Sequence, residues 1–175
     1  MNEASNHFEL MGLPVAFAID VAGLEEGYRA LQSRVHPDRF ASAPAAERRV
    51  AMQWATRANE AYRTLRDPVA RARYLLGLRG FDTEEETNTS MPADFLMQQM
   101  EWREASSEAR ARRDAERLDT LRGELQQERA SMVGQLGRAI DDSADFAAGC
   151  ALVRKLRFLE KLDMEIDEAL EEMEG

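Results

Sequence analysis

The sequence is poor in the residue types that build metal centres, cross-links and flexible loops. Its 175 residues include one cysteine, Cys150, and two histidines, His7 and His36. A single thiol excludes an internal disulfide, and with two imidazoles it cannot assemble a multi-cysteine metal or cluster site. No cofactor and no metal is therefore expected. Ten glycines and five prolines are thinly spread, without a glycine-rich phosphate loop, a nucleophile elbow, a repeat or a low-complexity tract. No apolar run approaches the ~20 residues that a membrane span needs. The opening Met1-Asn2-Glu3-Ala4-Ser5-Asn6 lacks the basic start and apolar stretch of a cleaved leader. These absences lead us to expect a cytoplasmic protein. Strand periodicity is missing too, since no stretch sustains an apolar–polar alternation of two.

Charge and helical periodicity are what the chain does have. Charged residues make up 32% of it, a share that suits solvated helices, and the net charge is −10. That charge is unevenly divided. Residues 1–80 hold 11 Arg against 9 Asp and Glu, whereas residues 81–175 hold 12 Lys and Arg against 24 Asp and Glu. The split predicts two halves with different partners. It also argues against nucleic acid as the main ligand, because phosphate binding needs a concentrated basic face. The length suits one domain or two small ones with a real core.

Apolar residues recur at helical spacing in the first half: Leu24, Tyr28, Leu31 and Val35, then Val50, Trp54, Ala58, Ala61 and Leu65. Asp20 is placed to cap the first of these helices, and Ser42 with Pro44 opens the second, Pro44 at a first-turn position. His7 to Pro14 reads as one or two helical turns packed on this hairpin. Asp67-Pro68 ends the second helix and caps a short one containing Ala72, Leu75, Leu76 and Leu78, with Gly80 as its stop. Between the two long helices stands His36-Pro37-Asp38-Arg39. Pro37 cannot continue a helix and biases His36 away from the α region, so the polar side chains are predicted at an exposed tip. A lone histidine in a turn is ordinarily a solvated or capping residue. His36 earns interest only from Pro37, Asp38 and the two flanking helices in register.

Asp82 to Ser90 is acidic and aperiodic, and reads as a linker. We place the boundaries at 1–80, 81–91 and 92–175. The last segment holds three amphipathic patterns with short connections, which predicts an antiparallel three-helix bundle. Its middle stripe is Leu118, Leu121, Leu125, Met132, Leu136 and Ile140; its last is Leu152, Leu156, Leu159, Leu162, Ile166, Leu170 and Met173. The helix from Pro92 to about Arg113 is different. At about 100° per residue, Phe95, Trp102 and Ala109 share one face, while Leu96, Met97 and Met100 fall on another beside Glu101 and Glu104. A helix in a small bundle needs one apolar stripe, so the second is a candidate partner surface, with methionines suited to adaptable contact. The rival readings are interdomain core against the first half, or a seat for weak self-association. Phe158, at the edge of the last leucine stripe, is expected to border it.

The run from Tyr28 to Phe40 with its His-Pro-Asp, followed by a helix carrying Asn59-Glu60-Ala61-Tyr62 and Leu65-Arg66-Asp67-Pro68, resembles a J-domain over roughly the first eighty residues. The run Phe95 to Glu104, together with Arg154 to Leu162, is similar to the C-terminal domain of the HscB-type iron–sulfur co-chaperones. The two resemblances cover nearly the whole chain. They imply an all-α protein without enzymatic activity: an N-terminal J-domain hairpin that stimulates ATP hydrolysis by a dedicated seventy-kilodalton-class chaperone (HscA), and a C-terminal bundle that binds the cluster scaffold protein (IscU). By position, His36, Pro37 and Asp38 would act on the chaperone with Arg29, Arg34 and Arg39. Leu96, Met97, Met100, Glu101, Glu104 and Phe158 would contact the scaffold. The absence of a cysteine-rich extension favours a bacterial type. Arg39 stands where many J-domains have lysine, Met100 where relatives have leucine, and Ala105 where relatives often have an acid. One alternative is a J-protein delivering a different client. Another is an enzyme using His36 and Asp38 as an acid–base pair, which a convex tip serves poorly.

Overall fold

The computed structural model describes residues 5–85 and 91–174. Among them there are seven α-helices and no strand: α1 His7–Met11, α2 Val21–Val35, α3 Ala45–Arg66, α4 Pro68–Leu78, α5 Ala93–Arg112, α6 Ala115–Gly137 and α7 Phe146–Glu174. The chain divides into two compact units, Met1–Arg79 and Gly80–Gly175.

In the first unit α2 and α3 form an antiparallel pair that α1 and α4 cover. α1, α2 and α4 each begin where a polar side chain accepts an otherwise unpaired backbone N–H. Asn6 and Glu9 form a reciprocal capping box at α1. The Asp20 carboxylate accepts from Ala22 N–H at 3.0 Å, and that of Asp67 from Ala70 N–H at 2.7 Å. Each such cap contributes about 1 kcal/mol. Pro44 occupies the cap position itself, one residue before the expected first turn. Gly80 takes a left-handed conformation, φ 83°, beyond the end of α4.

The core of this unit is Phe8, Met11, Leu24, Leu31, Val35, Leu65, Val69, Leu75 and Leu76, with a seam of small residues on α3. There the structure corrects the sequence reading. Ala51 is buried and Val50 is 50% exposed. Ala51, Ala58 and Ala61 face inward because α3 lies close against its neighbours, which turns the larger Val50 outward. Leu78 is likewise exposed. Gly27 marks another close approach: a Cβ there would run into the carbonyl oxygen of Met11, so only glycine lets α1 and α2 meet. The buried Arg71 donates to the Leu65 carbonyl at 2.6 Å and lies over the Phe17 ring.

The second unit is the three-helix bundle α5–α6–α7. Leu118, Leu121, Leu125, Leu136, Leu156, Leu159 and Leu162 are fully buried, each contributing about 1.5–3 kcal/mol of apolar burial. On α7 the inward face also takes Cys150, Val153 and Ala169, while Leu152, Leu170 and Met173 are only half-buried. The α5–α6 and α6–α7 turns carry Arg113 (φ 53°) and Ala144 (φ 51°) in the left-handed region. A single π turn, Arg138–Asp142, closes α6. The acidic stretch read as a linker is held to the bundle at its start. Thr83 is buried, its carbonyl accepts from Arg154 at 3.0 Å, and Phe81 packs on Phe146 with ring centroids 5.2 Å apart. Residues 86–90 of that stretch lie outside the described residues.

Candidate functional sites on a turn and on a helix face

The turn joining α2 to α3 is built by the sequence around Pro37. His36 leaves the helix at φ −57°, ψ 129°, and Pro37–Phe40 forms one 3-10 turn. Asp38 N–H donates to His36 Nδ1 at 3.3 Å. That bond occupies the Nδ1 lone pair and leaves the ring proton on Nε2, where it can be offered as a donor. The Asp38 carboxylate lies 3.6 Å from the same nitrogen and is 91% exposed. With Nδ1 acting as an acceptor, this approach is a near contact rather than an ion pair. The carboxylate is therefore available to a cation from outside.

Of the predicted arginines, Arg39 is the most constrained. Its guanidinium folds back and donates to the Ser33 carbonyl at 2.7 Å, capping the end of α2. Arg29 donates to the Glu25 carbonyl one turn earlier at 3.3 Å. Arg34 is exposed and borders an apolar depression of about 340 Å³ that Phe40, Val50 and Trp54 also line. The structure gathers His36, Asp38 and Arg39 at one tip, with Arg34 beside them and Arg29 about two helical turns back. Pro37 opens the turn by its backbone; its side chain lies outside the described residues. Sequence reasoning missed the depression because it counted Val50 among the core residues.

Behind the tip a polar cluster fixes α2 on α3. Tyr28 hydroxyl and Gln32 Nε2 both donate to Asn59 Oδ1, at 2.7 and 2.6 Å. The Tyr28 ring stacks on Tyr62 with centroids 4.3 Å apart. These contacts give Tyr28, Asn59 and Tyr62 of the quoted motif a physical task, which is to hold the hairpin in register.

The second candidate is on α5. Phe95, Trp102 and Ala109 are buried and complete its core face. Leu96, Met97 and Met100 are 43%, 64% and 71% exposed, with Glu101 and Glu104 exposed beside them. Phe158 reaches this side from α7. Its ring meets Phe95 edge-on at 6.0 Å and is covered on one face by Arg103 at 5.4 Å. Arg103 received no role from the sequence, although it lies seven residues after Leu96 and so shares its phase on the helix. Lys155 stands 4.9 Å over the Phe95 ring. The patch thus has an apolar centre, an acidic side, and a border where Arg103 shields Phe158.

Cys150 is buried on the inner face of α7, and burial pushes its thiol up from its ordinary value. His7 stacks on Tyr74 at 4.2 Å and is pushed down, chiefly by burial. Among the described residues no group of three His, Cys, Asp or Glu side chains could hold a metal ion, and no helix is long and apolar enough to cross a membrane.

Comparison with known proteins gives this geometry a family. The family model described as the HSCB C-terminal oligomerisation domain matches residues 91–167. The co-chaperone protein HscB homolog of Burkholderia multivorans is 53% identical over 169 residues, 97% of this chain and 96% of that protein. Among solved structures, chaperone HscB from Vibrio cholerae superposes with a TM-score of 0.83 at 35% identity, covering 97% of this chain and 99% of that one. Human co-chaperone protein HscB gives 0.89 at 27% identity, covering 96% and 83%. With a relative more than half identical along nearly its full length, and the same all-helical fold around both sites, the chain belongs to the HscB co-chaperone family.

Proposed function

We propose that this protein is an iron–sulfur co-chaperone of the bacterial cytoplasm that brings a cluster scaffold of the IscU type to a dedicated chaperone of the HscA type and stimulates that chaperone's ATP hydrolysis. The observation that carries the reading is the surplus apolar face of α5. Leu96, Met97 and Met100 are exposed although Phe95, Trp102 and Ala109 already complete the helix's core face. Exposed apolar groups held on a rigid helix beside a protected aromatic are what a protein partner's anchor residues can dry and cover. Glu101 and Glu104 would set register and orientation by pairing with cations of the scaffold, and Phe158 would close the border of the contact.

On the first unit, Asp38 offers an exposed carboxylate for a charge-assisted hydrogen bond with an arginine of the chaperone. His36 offers its Nε2 proton, and Pro37 sets the angle at which both are presented. Arg29 and Arg34 would steer the encounter toward an acidic surface, an effect that salt weakens. The chain itself carries out no catalysis in this scheme. His36 and Asp38 stand on a convex turn, and the phosphate that is cleaved belongs to the partner's site.

The test is steady-state ATP hydrolysis by the cognate chaperone, alone, with this protein, and with this protein plus scaffold. Stimulation that rises further when scaffold is present is the expected result. Stimulation indifferent to the scaffold would keep the first unit's role and reassign the client. No stimulation would sink the reading. A second copy of the chain is the rival occupant of the α5 face, so scaffold binding is measured at several protein concentrations. An affinity that falls with concentration identifies self-association.

A further inference from the structure

Methionine is distributed unevenly between core and surface. Met11 and Met132 are each 3% exposed, whereas Met52, Met97, Met100 and Met164 are 61%, 64%, 71% and 63% exposed. Two of these four, Met97 and Met100, lie three residues apart on α5 and adjoin Leu96 in the surplus apolar patch. Met52 is in the first unit, lining a separate groove with Arg48 and Arg49. Met164 is six residues beyond Phe158, about 240° round α7 from it. An accessible thioether is the side chain most readily oxidised after an exposed thiol. The chain's one thiol is 5% exposed and held protonated by its burial, so it is a poor competitor.

We propose that Met97 and Met100 form a reversible oxidation site through which peroxide controls the partner-binding face of α5. The inference rests on the proposed role of that face in scaffold binding. In the forward step the thioether sulfur attacks one oxygen of hydrogen peroxide. An S–O bond forms, the O–O bond breaks and water leaves, so sulfur loses two electrons and the peroxide gains them. In the reverse step a methionine sulfoxide reductase passes two electrons from a pair of thiols, giving thioether, disulfide and water.

The chemistry of the rim makes this change matter. A sulfoxide oxygen is a strong hydrogen-bond acceptor and becomes hydrated. Its neighbours Glu101 and Glu104 are acceptors themselves and cannot satisfy it when the patch is dried. The nearby cation, Arg103, lies over the Phe158 ring. Each oxidised methionine therefore turns an apolar contact into a polar group that loses its water on binding, or draws Arg103 away from the Phe158 ring. The bound state is penalised while the fold is not, because neither side chain belongs to the core.

The experiment uses the full-length protein, hydrogen peroxide as oxidant, an IscU-type scaffold as ligand, and peptide mass mapping to count oxygen at each methionine. Peroxide-treated protein carrying one oxygen at Met97 and Met100 is expected to bind scaffold about tenfold more weakly. A Met97→Leu, Met100→Leu variant is expected to bind alike before and after peroxide. Reductases for both sulfoxide epimers, with a dithiol, are expected to restore the wild type. The proposal is overturned if Met97 and Met100 stay unoxidised while Met52 and Met164 react. It is overturned equally if the doubly oxidised protein binds unchanged, or if the leucine variant loses affinity to the same extent. Untreated Leu96→Ala separates the underlying reading from the inference. Unchanged binding there removes the patch itself, whereas weakened binding with an oxidation-indifferent wild type removes only the switch.

Discussion

Replacing His36 by glutamine is expected to abolish stimulation of the chaperone's ATP hydrolysis while leaving the fold and scaffold binding intact. Nδ1 accepts the Asp38 N–H at 3.3 Å and so ties the ring to the first residue after Pro37. A rigid five-membered ring then directs Nε2 outward at a set angle. Glutamine carries a donor and an acceptor too, but on three rotatable bonds, so it can satisfy the Asp38 N–H or the partner without holding both in one geometry. His36 is solvent-exposed and ends α2 rather than packing in it, so unfolding free energy should move by no more than about 0.5 kcal/mol. Three measurements decide the matter: the stimulated hydrolysis rate, a thermal melt, and scaffold affinity. Loss of stimulation and scaffold binding together, with the melt unchanged, would mean that the two sites are not separable. Undiminished stimulation would remove the turn from the mechanism.

The second large effect is expected at the other unit. Leu96→Ala combined with Phe158→Ala should weaken scaffold binding by more than about 2 kcal/mol, roughly thirtyfold in Kd. Leu96 is 43% exposed, enough to meet a partner and enough buried to be held in place. Phe158 differs in kind. Its edge-on contact with Phe95 and the Arg103 guanidinium above it anchor the ring within the bundle. Phe158→Ala therefore removes intramolecular packing as well as interface, and the double variant has to be compared with each single one. A lower melting temperature in Phe158→Ala but not in Leu96→Ala is the expected pattern. Chaperone stimulation without scaffold should be untouched by either. Unchanged scaffold affinity in the double variant would withdraw the α5 face from the proposal.

How much of this was legible before the structure depends on the residue. Leu24, Leu31 and Val35 could be placed because large side chains at helical spacing leave one choice of face. Val50 could not. When a helix packs closely through alanine, the inward residue is the small one, and a pattern of apolar types cannot tell Ala51 from its larger neighbour. The same ambiguity set Leu152 against Val153 on α7. The two-faced character of α5 was readable because Phe95, Trp102 and Ala109 already complete one face. Arg39 shows where composition stops: as a sequence it is an exposed cation near a functional turn, and only the fold reveals its hydrogen bond to the Ser33 carbonyl. The shielding of Phe158 by Arg103 was hidden for a similar reason, since residues 55 positions apart carry no shared periodicity.

The burial of Cys150 has a practical consequence. The chain's one thiol is 5% exposed, on the inner face of α7 within the second unit. A thiol-specific reagent can reach it only when that bundle opens, so the rate of labelling is a clock for opening of one unit and is blind to the other. The protein carries its own reporter at a position where no probe had to be introduced. Under conditions where reclosing is faster than labelling, the labelling rate is expected to report the free energy of opening directly, and a scaffold bound to the folded bundle should slow it in proportion to occupancy.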